Sequence, residues 1–418
     1  MTLSKPSIWT LLGVTVALFI LLVARSDLSP KYVSTYAPIL AVILMIVISL
    51  PIISRLRIPR DFGLVGAFGF VFVCSTLASG DPNKSLQAMG ITALWLVAFL
   101  CGANIGGRYW NFFLWLLIIV GISETFIAVG ETLFANEWIR AVVASDTSGL
   151  YFVRQNEISS LVPNRAQGTI GYPIPFSHFI SISLITVLAT GIIRKIGLRI
   201  LIALILCLGL ILSGTRTSIL AVALAVIILL FLTHNSRKVI IKSVLFLAGI
   251  PITIITIWDY FSAEATSGDY SFIHRLGVIA SLGRIVNSSF IQFFVGSGYN
   301  SHEALFERGT IPGLETFAVD NAFVSIVISS GLIGLAFFVL LLIRTMLRKD
   351  RLVIAIMILA IIYGFSYDFI YWHLLMFLTV VFMGRAFGQE NDVPDGLQIP
   401  HLGKFSTSKK DESAIDGP

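Results

Sequence analysis

Residues 198–233 read LRILIALILCLGLILSGTRTSILAVALAVIILLFLT. Two apolar runs, 198–213 and 217–233, are joined only by Gly214, Thr215 and Arg216. Each run approaches the ~20 residues that carry a helix across a hydrocarbon core about 30 Å thick. Read as a tight helical hairpin, the pair leaves the basic loops before and after it, Arg194-Lys195 and Arg237-Lys238, on one side of the bilayer. Read as a single helix, it sets those loops on opposite sides and inverts everything downstream. The hairpin is the consistent reading.

Working outward gives twelve candidate helices at 8–24, 36–53, 62–79, 86–103, 111–130, 171–193, 198–213, 217–233, 239–257, 321–343, 352–370 and 372–387. With the N-terminus inside, the inner segments hold nineteen of the 29 lysines and arginines, which fixes the orientation by the positive-inside rule. Composition agrees. The 418 residues are 56% hydrophobic and 12% charged, with a mean hydropathy of +0.91, whereas soluble domains carry roughly 25% charged residues. The sequence pI near 9.2 follows the membrane topology, and no dense basic cluster with aromatics points to nucleic acid. The expected fold is an all-α polytopic membrane protein. Residues 1–387 form its single transmembrane domain, and 388–418 form a polar, disordered cytoplasmic tail.

Several other classes are disfavoured. Cys74, Cys101 and Cys207 lie in apolar runs with no Cys-x-x-Cys pair, so neither a zinc site nor a disulfide framework is supported. The first run is followed by Arg25 and further spans, and reads as a retained helix rather than a cleaved leader. Outer loops 131–170 and 258–320 are polar and far longer than the ~15 residues typical of connections. In the second, Phe272, Leu276, Ile279, Val286, Phe290 and Phe293 recur at helical steps, predicting an amphipathic helix on the outer membrane surface or on the bundle.

Arginines stand on the disfavoured side of the membrane at Arg165, Arg216, Arg275 and Arg154. A guanidinium stays charged and binds phosphate oxygens bidentately, so these positions suit a fixed anion. Arg216 sits in the hairpin turn, where even the lenient insertion scale charges about 2.5–3.5 kcal/mol for it. Its structural alternative is to snorkel to the interface. Loop arginines such as Arg165, Arg275, Arg284 and Arg308 can equally be solvated side chains.

Five segments line up along the chain: Asn164-Arg-Ala-Gln-Gly-Thr-Ile-Gly-Tyr-Pro173, Leu212-Ser-Gly-Thr-Arg-Thr-Ser218, Arg275 followed by Val295-Gly-Ser-Gly-Tyr299, Val319-Asp-Asn-Ala-Phe323, and Ser330-Gly-Leu-Ile-Gly-Leu335. In this order they resemble the O-antigen ligase and polymerase family over residues 160–340. The resemblance implies a multispan glycosyltransferase of the bacterial cytoplasmic (inner) membrane, active on its extracytoplasmic face, with both termini cytoplasmic. It implies a donor glycan on undecaprenyl pyrophosphate, an acceptor that is another glycan or lipid A–core, and no metal or other cofactor. Membrane lipid surrounds it, and a chain-length regulator is a further partner. The match carries Arg165, Arg216 and Arg275 over as the groups facing pyrophosphate.

Sugar hydroxyls barely ionise at neutral pH, so an acceptor needs a base or an orienting group. Ligases of the family carry histidine before the asparagine at the position held here by Asp320-Asn321. The aspartate favours a repeat-unit polymerase of O-antigen or exopolysaccharide, with the ligase as alternative. Asp320 could instead be the N-cap of the tenth helix, worth about 0.5–2 kcal/mol. His302 is an alternative base. Glu124, mid-span, could pair with an arginine such as Arg216, while Asp368 and His373 read as interfacial beside Tyr367, Tyr371 and Trp372. Gly331 and Gly334 read as helix-packing residues. A flippase or transporter is the reading from another class. It would require charges along a central path and paired broken helices in two related halves, and the sequence shows no such halves.

Overall fold

The computed structural model describes residues 6–25, 31–133, 164–232, 282–286, 289–309 and 319–388. The expected span at 239–257, Arg154, Arg275, the first half of the expected amphipathic helix and the tail from residue 389 lie outside the described residues.

Among the described residues the regular elements are helices, as a backbone in hydrocarbon requires when it must satisfy its own N–H and C=O groups. In chain order they are α1 (Pro6–Arg25), α2 (Lys31–Ser49), α3 (Phe62–Ala78), α4 (Pro82–Asn104), α5 (Gly107–Leu133), α6 (Pro173–Ala189), α7 (Ile196–Ser213) and α8 (Arg216–Leu232). Then come the short α9 (Phe290–Val295) and α10 (His302–Glu307), followed by α11 (Ala322–Met346), α12 (Arg351–Gly364) and α13 (His373–Gly388). Four of them, α4, α5, α7 and α11, are long and apolar enough to cross a membrane unaided, and seven shorter apolar helices accompany them. Phe70, Phe126, Leu204 and Phe231 are each more than 60% exposed, an outward apolar face that water would not tolerate. The chain is a helical membrane protein.

Two helices form the centre. Every residue of α6 from Pro173 to Val187 is buried, as is every residue of α13 from Leu374 to Phe387. The crossing of α13 with α4 is close enough that backbones touch. A Cβ on Gly384 would stand 2.1 Å from Phe99 O, and one on Gly102 would stand 2.2 Å from Val381 O. Small residues serve association inside membranes by this kind of approach. On α3, Phe68 and Phe72 pack on Trp95 of α4 with ring centroids 5.2 and 5.3 Å away.

The two ends of the bundle differ. At one, the basic end, Asp61 binds Arg344 at 2.9 Å and Arg348 at 2.8 Å, and Arg385 donates to Ile105 O. At the other, the site end, loop residues 164–172, 213–217, 296–309, 319–321 and 365–372 contact one another as described below. The hairpin expected at 198–233 is present: α7 ends at Ser213, α8 starts at Arg216, and Gly214 turns between them with φ +60°.

Three expectations need correction. The span expected to run to 370 ends at Gly364, and residues 365–372 fold into a turn closed by Ser366 N to Tyr363 O (2.9 Å) and Trp372 N to Phe369 O (3.1 Å). The expected amphipathic helix is not continuous, because Ser289 caps a new helix at Phe290 by accepting from Gln292 N. Its described parts pack on the bundle: Ile285, with Leu282 and Phe293 beside it, clusters with Leu305 and Phe306 of α10 and with Val324 and Ile328 of α11. Finally, Gly331 is more than a packing residue: it breaks α11 with φ +68° and ψ −175°. A Cβ there would stand 2.1 Å from Phe294 O. The carbonyls of Ile328 and Ser329 beside the break accept from Ser297 N (2.6 Å) and Gly298 N (3.1 Å), which seats the Gly-Ser-Gly loop on the interrupted helix.

Candidate functional site

The first half of the site is built on α5. Glu124 and Glu131 lie seven residues apart, hence on one face of the helix, and both are buried. Glu131 Oε2 accepts from the backbone N–H groups of Gln167 and Gly168 at 3.0 Å each. Glu124 accepts from Thr169 N at 2.9 Å and from the Thr169 hydroxyl. So the anchoring partner of Glu124 is Thr169 and not the arginine the sequence suggested. A buried carboxyl needs donors, and three successive backbone N–H groups of a glycine-containing turn supply them to the pair. Gly168 permits the approach, since a Cβ there would stand 2.4 Å from Glu124 Oε2.

That anchored segment presents Arg165, which is buried. Its Nε donates to Ser213 O and its Nη2 to Thr215 Oγ1, both at 2.9 Å. Ala166 N adds a bond to Leu212 O at 2.8 Å. Arg165 therefore braces the turn from which Arg216 emerges. Arg216 is partly exposed and is the first residue of α8. A cation there adds to the positive end of the helix dipole, and the combination is complementary to an anion.

The second half gathers around residues 365–372. Asp320 is partly exposed and precedes Asn321, whose Oδ1 caps α11 by accepting from Phe323 N (3.0 Å) and Val324 N (3.1 Å). The cap expected at Asp320 is therefore Asn321. The reason is geometric: a side chain accepts best from residues two and three further along, and the helix starts at Ala322. His302 opens α10 and is buried against Tyr371, ring centroids 5.0 Å apart. Its Nε2 lies 3.9 Å from Asp368 Oδ2. Burial, reinforced by the charge of Lys84, pushes the His302 imidazole down to about 4, so it is neutral at pH 7. Burial, reinforced by the charge of Asp320, holds the Asp368 carboxyl well above the usual carboxylate range.

Tyr367, Phe369 and Ile370 are each no more than 3% exposed, whereas Tyr371 and Trp372 are partly exposed, so Tyr367 is not part of an interfacial belt. Residues 365–372 form a hub. Ser366 shares a hydrogen bond with Thr217, next to Arg216, at 3.0 Å. Tyr367 OH meets His178 Nδ1 at 2.7 Å, and Trp372 lies beside Tyr172 with centroids 6.3 Å apart. Tyr371 OH accepts from Asn300 N at 3.2 Å. One turn thus joins the arginine half to the carboxyl–histidine half. Of the expected site residues, Arg165 and Arg216 come together in one half, and His302 and Asp320 share the other through Asp368. Arg275 lies outside the described residues. Arg284 and Arg308 are exposed.

Sequence reading missed Asp368 as a site residue, and also Lys84, whose Nζ donates to Asn300 O at 3.1 Å across 216 positions of chain. The available signal was an ionisable residue flanked by buried-type aromatics, Tyr367-Asp368-Phe369. In comparison with known proteins, the chain matches no protein-family model and no curated protein.

Proposed function

We propose that this chain is a bacterial polysaccharide polymerase, transferring undecaprenyl-pyrophosphate-linked glycan to a sugar hydroxyl at the extracytoplasmic face of the cytoplasmic membrane. The observation that carries the reading is Arg216 at the positive end of α8, with its turn braced by the buried Arg165. Charge grows on the pyrophosphate as the glycosidic bond to it breaks, and preorganised cations act most strongly on charge that develops in the transition state. The attacking hydroxyl loses a proton as it bonds to the anomeric carbon, and the pyrophosphate leaves with the electron pair of the broken C–O bond. Asp320, released from helix capping by Asn321, and His302, neutral with a free lone pair at pH 7, are the groups that receive or orient that proton. Arg275 completes the pyrophosphate set by resemblance.

The ligase differs only in its acceptor, lipid A–core. A flippase of the inverted-repeat kind calls for paired broken helices in two related halves, and among the described residues the interruption lies in one helix, α11 at Gly331. The deciding experiment is a gel profile of surface and lipid-linked glycans from a strain lacking the protein. A polymerase predicts single repeat units on the core and loss of the long-chain ladder. Long glycan stranded on its carrier with a bare core would make the protein a ligase, and an unchanged profile would overturn both.

A further inference from the structure

Among the described residues, His302 Nδ1, His302 Nε2 and Asp368 Oδ1 are buried without a hydrogen-bond partner, while the Ser325 hydroxyl and the Ile370 and Tyr371 N–H groups bear on the Asp368 carboxyl. The two side chains are only 10% and 12% exposed, and His302 Nε2 stands 3.9 Å from Asp368 Oδ2. That distance is too long for a direct hydrogen bond. His302 Nε2 is closed to solvent in this structure, so a third oxygen, about 2.8 Å from each, enters between them only when the two side chains part. Buried polar groups left unpaired cost free energy, and a native structure that keeps three together points to a guest.

The surroundings indicate what kind. Tyr371, whose ring edge meets the imidazole, stacks on Tyr299 with centroids 5.2 Å apart. Both rings are partly exposed. The loop carrying Tyr299 is tied down on both sides, by Tyr299 N to Thr76 Oγ1 (2.9 Å) and by Lys84 Nζ to Asn300 O. Asn300 between these ties holds a left-handed φ of +53°, a conformation non-glycine residues seldom adopt. Aromatic faces beside a few convergent polar groups are the usual lining of a small-molecule site. The charged groups bearing on the pair are Lys84 on His302 and Asp320 on Asp368.

We infer that His302 and Asp368 bind the hydroxyl group of the acceptor sugar between them, with Tyr371 and Tyr299 as the aromatic wall beside it. This rests on the glycosyltransferase reading. In the reaction the hydroxyl oxygen bonds to the donor's anomeric carbon, its proton passes to the lone pair of His302 Nε2, and the C–O bond electrons leave with the carrier pyrophosphate. Asp368 orients the same hydroxyl.

The test uses the full chain in proteoliposomes, supplied with lipid-linked repeat units from a strain lacking the protein. Oligosaccharide freed from its pyrophosphate by mild acid serves as added acceptor. Asp368→Asn and His302→Gln should each raise the KM for that free acceptor by about tenfold, the loss of one hydrogen bond, and His302→Gln, which also removes the proton acceptor, should lower kcat as well. Arg216→Ala, by contrast, should lower kcat alone. Unchanged acceptor KM in both variants would overturn the inference, including the case in which the variants merely melt earlier. A water in the gap would show itself as reduced acceptor-independent hydrolysis of the donor with an unaltered acceptor KM, which also overturns it. If the wild-type protein forms no product, the glycosyltransferase reading fails separately. Saturation-transfer NMR with the free oligosaccharide then still reads the site, and equal signals from wild type and Asp368→Asn would refute it.

Discussion

Two adjacent residues, Asp320 and Asn321, offer a clean separation of stability from chemistry. Asn321 is 5% exposed and bonds two N–H groups at the start of α11, at 3.0 and 3.1 Å. Water cannot replace those bonds at so buried a position, so Asn321→Ala should cost about 2 kcal/mol, the upper end for an N-cap. At roughly 2 °C per kcal/mol for a large domain, the melting temperature should fall by about 4 °C. Asp320→Asn removes a charge and no cap bond. Its effect on stability should stay within about 0.5 kcal/mol. The assay pairs a thermal melt of the purified protein in detergent with the glycan ladder of a complemented null strain. Asn321→Ala should melt early and keep most of the ladder, whereas Asp320→Asn should melt normally and lose it. If Asp320→Asn melts as early as Asn321→Ala and makes a full ladder, the capping assignment and the chemical role of Asp320 fall together.

Arg216→Lys keeps the charge but not the fork that grips phosphate, so both it and Arg216→Ala should abolish long-chain glycan while the protein still inserts; a normal ladder from either would refute the role. Glu131→Ala leaves the Gln167 and Gly168 N–H groups unpaired, at about 1–3 kcal/mol each. It should destabilise the protein and reduce glycan together, and a melt equal to wild type would show that the anchor is dispensable. His302, lowered to about 4 in the folded protein from the ordinary histidine value of 6.5, binds fewer protons folded than unfolded in that interval. Its contribution to stability is therefore complete above about pH 6.5 and is lost as pH falls toward 4, on the order of 3 kcal/mol. His302→Gln should flatten the acid limb of the stability profile, and an identical limb in the variant would show that the imidazole is not buried as described.

Much of the bundle was legible because lipid imposes simple rules. Runs such as 198–213 can only be helices in hydrocarbon, and the loop arginines sort the ends. The hairpin at Gly214–Arg216 and the boundary of α7 at Ser213 follow from those rules alone. Less legible was Gly331. An apolar stretch with small residues reads as a continuous helix, and the break becomes visible only when Phe294 O is found where a side chain would be. Tyr367 misled for a related reason. An interfacial aromatic belt and a buried aromatic turn have the same composition, and burial is a property of neighbours.

The site divides along the same line. Arg165 and Arg216 could be singled out from sequence because a charge beside an apolar span is costly wherever its partners are. That Arg165 braces the turn of Arg216, or that Glu124 and Glu131 serve backbone N–H groups 36 to 45 positions away, could not. Hydrogen bonds at that separation depend on how helices cross, and residue type fixes only the capacity to make them. The pairing of His302 with Asp368 is the extreme case, since two segments 66 positions apart must meet at one turn. The sequence by itself determined that this is a helical membrane protein, because transfer into hydrocarbon acts on each segment separately. Only the tertiary structure decided which polar groups satisfy each other and which are left buried without a partner, because that balance is struck between segments.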